Sequence, residues 1–289
     1  MSTTVLKQTA HTSEYYTRRT LRILGEILVV LVSLVFLYPI VIVFMNSVKP
    51  YAEIITDLLA LPKTITTENY QKVLGSSNYF SSLMNTVGYV VFFVPVVSTL
   101  SCMAGYMIGR TNDRKSKFIL GLFMLSMAIP GMTTLLPLFT VLGKLGLVNT
   151  RIGYALVYIP MACPGYVFFY SAHVASIPRE LEEAAVIDGC SLPRCFVSII
   201  YPLCFSVTAM VSVLLFLGVW NDYLLPSMLF RDEALHTVSM MLTKFQSEYG
   251  TKWDMMLTCA SLVLIPSLTI YVFAQRFIMR GMMMGAVKG

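Results

Sequence analysis

Long apolar runs alternate with short polar segments along the chain. Six runs hold no charged residue at their centres, and they lie at residues 22–45, 83–108, 118–142, 152–174, 203–225 and 257–277. An α-helix of about 20 residues crosses the ~30 Å hydrocarbon core of a bilayer, so each run is long enough to span a membrane. The pattern predicts an all-α, polytopic membrane protein with six transmembrane helices.

The segments that flank the spans indicate an orientation. Residues 1–21 are expected to form a cytoplasmic N-terminal segment, residues 22–277 the transmembrane domain and residues 278–289 a cytoplasmic C-terminal tail. Lys and Arg are more numerous on the side of the two termini, most clearly in the short loop 110–117. Because positively charged loops stay in the cytoplasm, both termini are predicted to be cytoplasmic.

Proline recurs in the second to sixth spans, at Pro95, Pro130, Pro137, Pro160, Pro164, Pro202 and Pro266. A proline inside a helix removes a backbone donor and kinks the helix. In lipid, the freed carbonyls need neighbouring helices or a water-filled cavity. The bundle is therefore predicted to be kinked, either around a pathway or through ordinary helix packing. Gly105 and Gly109 form a small-xxx-small pair that would let another helix approach closely.

The composition is that of a membrane protein and not of a soluble enzyme or a nucleic-acid-binding protein. Of the 289 residues, 56% are apolar and only 12% are charged. A soluble domain carries about 25% charged residues, so a soluble enzyme is excluded. The net charge of +6 is spread among short loops, which is not the pattern of a nucleic-acid-binding patch.

The spans also lack the ionisable groups that drive secondary transport, since Glu26 and Asp222 lie near span ends. The sequence shows no phosphate-binding loop and no catalytic cluster. Its three histidines are isolated, so no metal site is predicted, and its six cysteines are interpreted as small buried hydrophobic residues. We therefore expect a non-catalytic chain without a cofactor of its own, whose energy source lies outside the bilayer.

A polar segment, residues 176–202, separates the fourth and fifth spans. It predicts two helices with a break at Gly189, the first over residues 178–188 with Ser176 as its N-terminal cap and Pro178 in its first turn. Gly189 suits the left-handed conformation that ends a helix. One narrow face of the first helix consists of Leu181, Ala184, Ala185 and Asp188. Its mostly small side chains predict a close contact with another surface.

This segment resembles the Glu-Ala-Ala loop of ATP-binding-cassette (ABC) importer permeases, whose pattern is Glu-Ala-Ala, three residues, Gly, nine residues and Ile-x-Leu-Pro. The corresponding residues are Glu183, Ala184, Ala185, Gly189, Ile199, Tyr201 and Pro202. Tyr201 replaces the usual Leu. Asn46–Pro50 and the ending 274–289 further resemble carbohydrate-uptake permeases of the maltose-transporter type, so the resemblance covers nearly the whole chain.

The resemblance implies an assembly. This chain and a second permease would form the pathway, two ATPase subunits would bind ATP and Mg, and an extracytoplasmic binding protein would deliver a carbohydrate. The loop helix, residues 178–188, would insert into a cleft of the ATPase. The resemblance implies that the following residues couple this chain to the ATPase: Glu182, Glu183, Ala184, Ala185, Asp188, Gly189 and Pro202.

Two outer regions are candidate contacts for the cargo and its binding protein. The external loop 226–256 corresponds to the loop that contacts the binding protein in the resembled family, and its candidate residues are Phe245, Tyr249 and Trp253. A solvated linker is the alternative. The possible substrate-pathway residues at the end of the fifth span are Trp220, Asn221, Asp222 and Tyr223. The alternative for these is an interfacial aromatic residue and a polar helix end.

We interpret the chain as a permease subunit of an ABC importer in the inner membrane of a bacterium, with an oligosaccharide as its expected cargo. The alternative that the sequence leaves open is a secondary transporter or channel that ATP does not drive.

Overall fold

The computed structural model describes residues 2–111, 113–247 and 250–286. The chain is almost entirely helical in these ranges. Its α-helices are α1 (Ser2–Ser47), α2 (Tyr51–Thr56), α3 (Glu68–Gly75), α4 (Ser77–Thr111), α5 (Arg114–Ala128), α6 (Gly131–Lys144), α7 (Arg151–Ser176), α8 (Glu180–Ile187), α9 (Leu192–Cys195), α10 (Tyr201–Leu203), α11 (Phe205–Asn221), α12 (Leu224–Leu229) and α13 (Trp253–Ala286). A π-helical turn, Phe196–Ile200, connects α9 with α10.

Four helical stretches are long and apolar enough to cross a membrane. They are Arg19–Ser47, Asn78–Thr111, Arg151–Ser176 and Trp253–Arg276. Two further spans consist of bent pairs, in which α5 meets α6 at 94° and Leu192–Leu203 meets α11 at 75°. The predicted all-α membrane fold is confirmed, and the six predicted spans are found when each bent pair is counted as one.

A proline lies at or just before each bend, and both bends are sharper than the predicted kinks. Ile129 has an extended backbone (ψ 118°) because the residue before a proline avoids the helical region, so α5 ends before Pro130. Pro202 has no N–H to donate within α10. The π-helical turn lies immediately before it, and there Tyr201 N–H bonds to the carbonyl of Phe196. The chain then bends at Cys204 and continues as α11.

The described chain divides into two compact units. The first contains residues up to Tyr70 together with Lys252–Ser261. Its centre is the buried side chain of Lys49, whose ammonium group donates hydrogen bonds to the carbonyls of Asp57, Leu58 and Ala60. Thr258 Oγ1 donates to the carbonyl of Ser47 at 2.9 Å, which attaches the first turns of α13 to the end of α1.

The second unit contains Gln71–Thr251 and the chain from Leu262 onward, and its closest helix pair is α4 and α7. A Cβ atom on Gly105 would lie 2.5 Å from Tyr170 Cβ and 2.9 Å from Ser171 N. On Gly109 it would lie 2.7 Å from the carbonyl oxygen of Ser171. The predicted close approach at this glycine pair is therefore confirmed.

The core of the second unit lies between α4, α7 and α11. Its buried members include Val97, Cys102, Tyr170, Val174, Cys204, Val207, Met210 and Val211. All six cysteines are free, four of them buried and two, Cys163 and Cys190, half-buried. This agrees with their interpretation as small hydrophobic residues.

The predicted external loop 226–256 is largely folded. It contains α12, two 3-10 helices (Glu233–Leu235 and Val238–Phe245) and a hairpin of β1 (Gln246–Ser247) with β2 (Gly250–Thr251). Asn85 Nδ2 donates to the carbonyl of Ala234 at 2.7 Å, and Val238 N–H donates to Thr86 Oγ1 at 2.8 Å. The solvated-linker alternative is therefore wrong for the segment between α11 and β1, because hydrogen bonds attach it to α4.

Candidate functional site

The helix in the loop between α7 and α11 begins two residues later than predicted. Ile177 precedes Pro178 and is extended, so α7 ends at Ser176. The hydroxyl of Ser176 donates back to the carbonyl of His173 at 2.6 Å, and Arg179 holds the N-cap position of α8. The prediction that Ser176 caps the loop helix is therefore wrong, and the helix spans Glu180–Ile187 rather than 178–188.

The end of α8 follows the prediction. Gly189 has a φ of +78°, which glycine adopts at little cost. The N–H of Cys190 bonds to the carbonyl of Ala185 at 2.9 Å, and that of Gly189 bonds to the carbonyl of Val186 at 3.0 Å. These bonds satisfy helix-end carbonyls that would otherwise lack partners. Gly189 therefore sets the direction in which the chain leaves α8.

Most of the predicted coupling residues lie on the surface of this loop. The exposed ones are Glu183, Ala184, Asp188, Gly189 and Pro202, whereas Ala185 is buried. Three large apolar side chains beside them are also exposed, and these were missed in the sequence pattern: Val186, Ile187 and Leu192. Ile187 is 85% exposed. Such apolar exposure at a polar loop is typical of a protein contact.

Glu182 differs from its neighbours, because it faces α4. Its Oε1 lies 2.5 Å from Arg110 Nε, and its Oε2 accepts a hydrogen bond from Tyr106 OH at 3.1 Å. Arg110 Nη1 also donates to the carbonyl of Ile177 at 2.7 Å. The side chains of the pair are only 13% and 18% exposed. Sequence reasoning missed this cluster, since nothing in the local pattern relates Arg110 to a residue 72 positions later.

A cavity of about 670 Å³ opens in the second unit beside the break between α5 and α6. Side chains of α7 and the residues after α11 complete its wall, among them Tyr158, Tyr166, Phe169 and Asp222. Asp222 Oδ2 accepts a hydrogen bond from Tyr154 OH at 2.9 Å, and Oδ1 accepts one from Leu225 N–H at 3.4 Å. The cavity therefore combines aromatic surface with one carboxylate.

The other predicted pathway residues lie elsewhere. Trp220 is 3% exposed, and its Nε1 donates to the carbonyl of Val263 at 3.0 Å. Asn221 is exposed and donates to the carbonyl of Leu217, and Tyr223 is exposed. Asp222 is thus the member of this set that lines the cavity.

Two of the three residues that were predicted to contact the binding protein lie within the described residues. Trp253 is exposed at the start of α13 and Phe245 is half-buried at the end of a 3-10 helix. Tyr249 lies outside the described residues.

Comparison with known proteins assigns the chain to a family. The family described as binding-protein-dependent transport system inner membrane component matches residues 101–284. The chain belongs to this family. The match includes α7, the loop with α8, α11 and the carboxylate of the cavity.

Individual relatives of the permease align over almost their whole length. The probable starch degradation products transport system permease protein AmyC of Thermoanaerobacterium thermosulfurigenes is 32% identical, over 90% of this chain and 94% of the relative. The arabinooligosaccharides transport system permease protein AraQ of Bacillus subtilis is 29% identical, over 93% of this chain and 96% of the relative. The trehalose transport system permease protein SugB of Mycobacterium tuberculosis is 29% identical, over 88% of this chain and 93% of the relative.

A solved structure shares the fold of the permease. It is the crystal structure of a bacterial ABC transporter involved in the import of the acidic polysaccharide alginate. A chain of that transporter matches with a TM-score of 0.75 and 23% identity, over 89% of this chain and 96% of that chain. The family predicted from the Glu-Ala-Ala spacing is thus confirmed. The chain is a membrane permease subunit, which is not a catalytic role, and the alternative of a self-driven secondary transporter or channel is excluded.

Proposed function

We propose that the permease forms half of the pathway through which an ABC importer brings an oligosaccharide into a bacterial cell. The observation that carries this proposal is the agreement among the relatives. The cargoes in their names are starch degradation products, arabinooligosaccharides and trehalose, all of them saccharides. The alignments cover 88% or more of this chain.

The proposed assembly has four further subunits of three kinds. A second, different permease completes the pathway, two ATPase subunits bind ATP and Mg, and an extracytoplasmic binding protein delivers the saccharide. A solved bacterial alginate ABC transporter in complex with a pentasaccharide-bound periplasmic protein matches this chain with a TM-score of 0.65 and 17% identity. That fold supports an importer architecture, and the exposed ring of Trp253 supplies a candidate contact for the binding protein.

The proposed contact with the ATPase is the exposed surface of α8. The carboxylate of Glu183 is exposed on this helix and forms no hydrogen bond or ion pair with another described side chain, so it is available to pair with a basic residue of the ATPase. Val186 and Ile187 supply apolar area beside it, which is lost to water on docking. ATP-driven closure of the ATPase pair would then move α8 and rock the helices between inward-facing and outward-facing states.

The proposed orientation places both termini in the cytoplasm, on the same side as α8. It is supported by the excess of Lys and Arg there, and the loop 110–117 is the densest example. Within that loop Asp113 caps α5 by accepting a hydrogen bond from Ser116 N–H at 2.7 Å. This bond lowers the pKa of Asp113, so the loop also retains a carboxylate beside its basic residues.

Charge reversal at the proposed contact tests this function. Glu183→Lys should abolish saccharide uptake by repelling the ATPase, and Gly189→Asp should do so by straining the left-handed backbone and adding a charge at the contact. Both proteins should still insert in the membrane. Lys115→Glu is the matched control, since it reverses an exposed charge on the neighbouring loop and should leave uptake intact. Full uptake by both loop variants would refute the proposed coupling.

A further inference from the structure

The carboxylate of Asp222 has only neutral partners. It accepts hydrogen bonds from Tyr154 OH and Leu225 N–H, and no Lys, Arg or His among the described residues forms an ion pair with it. A carboxylate beside membrane-spanning helices is costly, so it is retained where it serves function. Its oxygens still have lone pairs free to accept further hydrogen bonds. The Asp222 carboxylate therefore points to a ligand that donates hydrogen bonds.

The aromatic side of the cavity carries unused hydrogen-bonding groups. Tyr158 and Tyr166 lie eight positions apart on α7, which is about 12 Å along the helix axis. Their hydroxyls form no hydrogen bond with the described residues, although both rings line the cavity. The ring of Tyr158 is held by stacking on Phe93, with ring centres 4.9 Å apart. Phe169 extends the aromatic surface toward the inner half of α7.

Glycines and a helix break provide the space. A Cβ atom on Gly218 would lie 3.0 Å from Tyr158 OH, and one on Gly165 would lie 3.3 Å from the terminal methyl of Met127. The 94° bend after α5 places Gly131 and Met132 at the cavity instead of a continuous helix. Larger residues at these glycines would reduce the room beside Tyr158 and Met127.

The cavity is also free of positive charge. Among its lining residues Asp222 is the only charged one, and the others are apolar, aromatic or glycine. A uronate would therefore meet a like charge with no Lys or Arg to neutralise it. A neutral sugar meets no such penalty, because its hydroxyls donate to the carboxylate and its C–H faces pack on aromatic rings.

We propose that this cavity is a binding subsite for a neutral oligosaccharide on the pathway, with Asp222, Tyr158 and Tyr166 as its hydrogen-bonding groups and with selectivity against acidic sugars. This inference rests on the proposed function, since it takes a saccharide as the cargo. It adds that this subunit contacts the cargo directly and that Asp222 sets the charge class that is accepted.

The test uses the complete transporter in proteoliposomes with its binding protein. Uptake of maltotriose, arabinotriose and trehalose is measured first, and the best-transported sugar serves as the probe. Binding of that probe to the purified complex without binding protein is then measured by saturation-transfer NMR. Asp222→Asn should weaken binding by about tenfold, as expected for loss of a hydrogen bond to a charged group. Tyr166→Phe should weaken it severalfold.

Two controls separate binding from folding. Tyr166→Phe removes a hydroxyl that forms no hydrogen bond with the described residues, so the folded state loses no hydrogen bond. Tyr271→Phe removes a hydroxyl from an exposed tyrosine outside the cavity and should leave binding unchanged. A gain of function completes the design, because a trimannuronate should compete with the probe in Asp222→Asn and fail to compete in the wild type.

The outcomes distinguish the inference from the proposed function. Normal wild-type uptake with unchanged probe binding in Asp222→Asn and Tyr166→Phe would overturn the subsite and leave the proposed function standing. Normal uptake without any probe binding to the wild-type complex would also overturn it, since the cavity would then not hold the transported sugar. A wild-type importer that takes up none of the neutral sugars would overturn both.

Discussion

Single residues set the closest packing in this molecule. At Gly105 and Gly109 the missing side chains allow the backbone of α4 to lie against Tyr170 and Ser171 of α7. Membrane helices gain no hydrophobic free energy by leaving lipid for one another, so such van der Waals contact is a main source of their association. Ser98 adds a hydrogen bond of 2.7 Å to the hydroxyl of Tyr170 beside the same seam.

We expect Gly105→Ala to destabilise the permease. The new methyl group would contact Tyr170 Cβ and Ser171 N, neither of which moves without a shift of α7, and such overpacking costs about 1–3 kcal/mol. Gly88→Ala on the same helix is the matched control, because its methyl group meets nothing within 4 Å. Thermal unfolding of the two variants in detergent checks this. Equal unfolding temperatures would show that α4 and α7 separate at no cost.

At the scale of the helix, some boundaries can be predicted from the sequence and others cannot. Apolar runs predict where the spans lie, and Gly189 predicts the end of α8, because both depend on local residue types. The 94° break at Pro130 is not predictable as such, since a proline is also compatible with a modest kink. Ser176 failed as a cap because it is the last residue of α7, which the extended residue before Pro178 brings to an end, and Arg179 holds the N-cap position of α8.

Some residues of the candidate site could likewise be predicted from the sequence and others could not. Glu183 and Gly189 stand in a pattern with fixed spacing, so the sequence alone singles them out. Arg110, by contrast, meets Glu182 only through the packing of α4 on the loop. The cavity around Asp222 likewise depends on the bend between α5 and α6 and on residues of three separate segments. Contacts between distant segments leave no trace in the pattern of a single sequence.

The pair of Arg110 and Glu182 leads to a prediction about α8 as an element. With 13% and 18% exposure the pair is shielded from water, and with Tyr106 it joins the loop to the last turn of α4. We propose that movement of α8 is passed to α4 through this pair. Arg110→Gln should then raise the ATP hydrolysed per saccharide transported several-fold, because α8 would move without α4.

The controls for this prediction use a second pair and a charge swap. Arg22→Gln breaks the ion pair of Arg22 with Glu26, whose side chains are 82% and 63% exposed, and such exposed pairs contribute little. It should leave the ratio of ATP hydrolysis to transport unchanged. The double variant Arg110→Glu with Glu182→Arg should restore part of the coupling. An unchanged ratio in Arg110→Gln would contradict a coupling role and leave the pair as a structural contact.

The molecule as a whole exposes a large apolar surface that is not buried within the chain. The first span, Arg19–Ser47, has a mean hydropathy of 3.1 in its most apolar window, and none of that window is buried within the chain. Lipid or another membrane subunit must cover it. No phosphate-binding loop occurs in the sequence, and the spans carry no central charge for gradient-driven transport. These features agree with the family of the chain, the binding-protein-dependent transport system inner membrane component.

Reconstitution tests whether the whole molecule works only in the proposed assembly. Vesicles that contain this polypeptide alone should not accumulate maltotriose, arabinotriose or trehalose against a gradient, because no free-energy source acts on the chain. Addition of the second permease, the ATPases, the binding protein and ATP should start accumulation of at least one of these sugars. ATP replaced by a non-hydrolysable analogue is the matched control and should stop it, since the closure of the ATPases could then not be reset. Accumulation by the single chain would mean that a coupling group lies within its spans, and the role assigned to α8 would fail with that result.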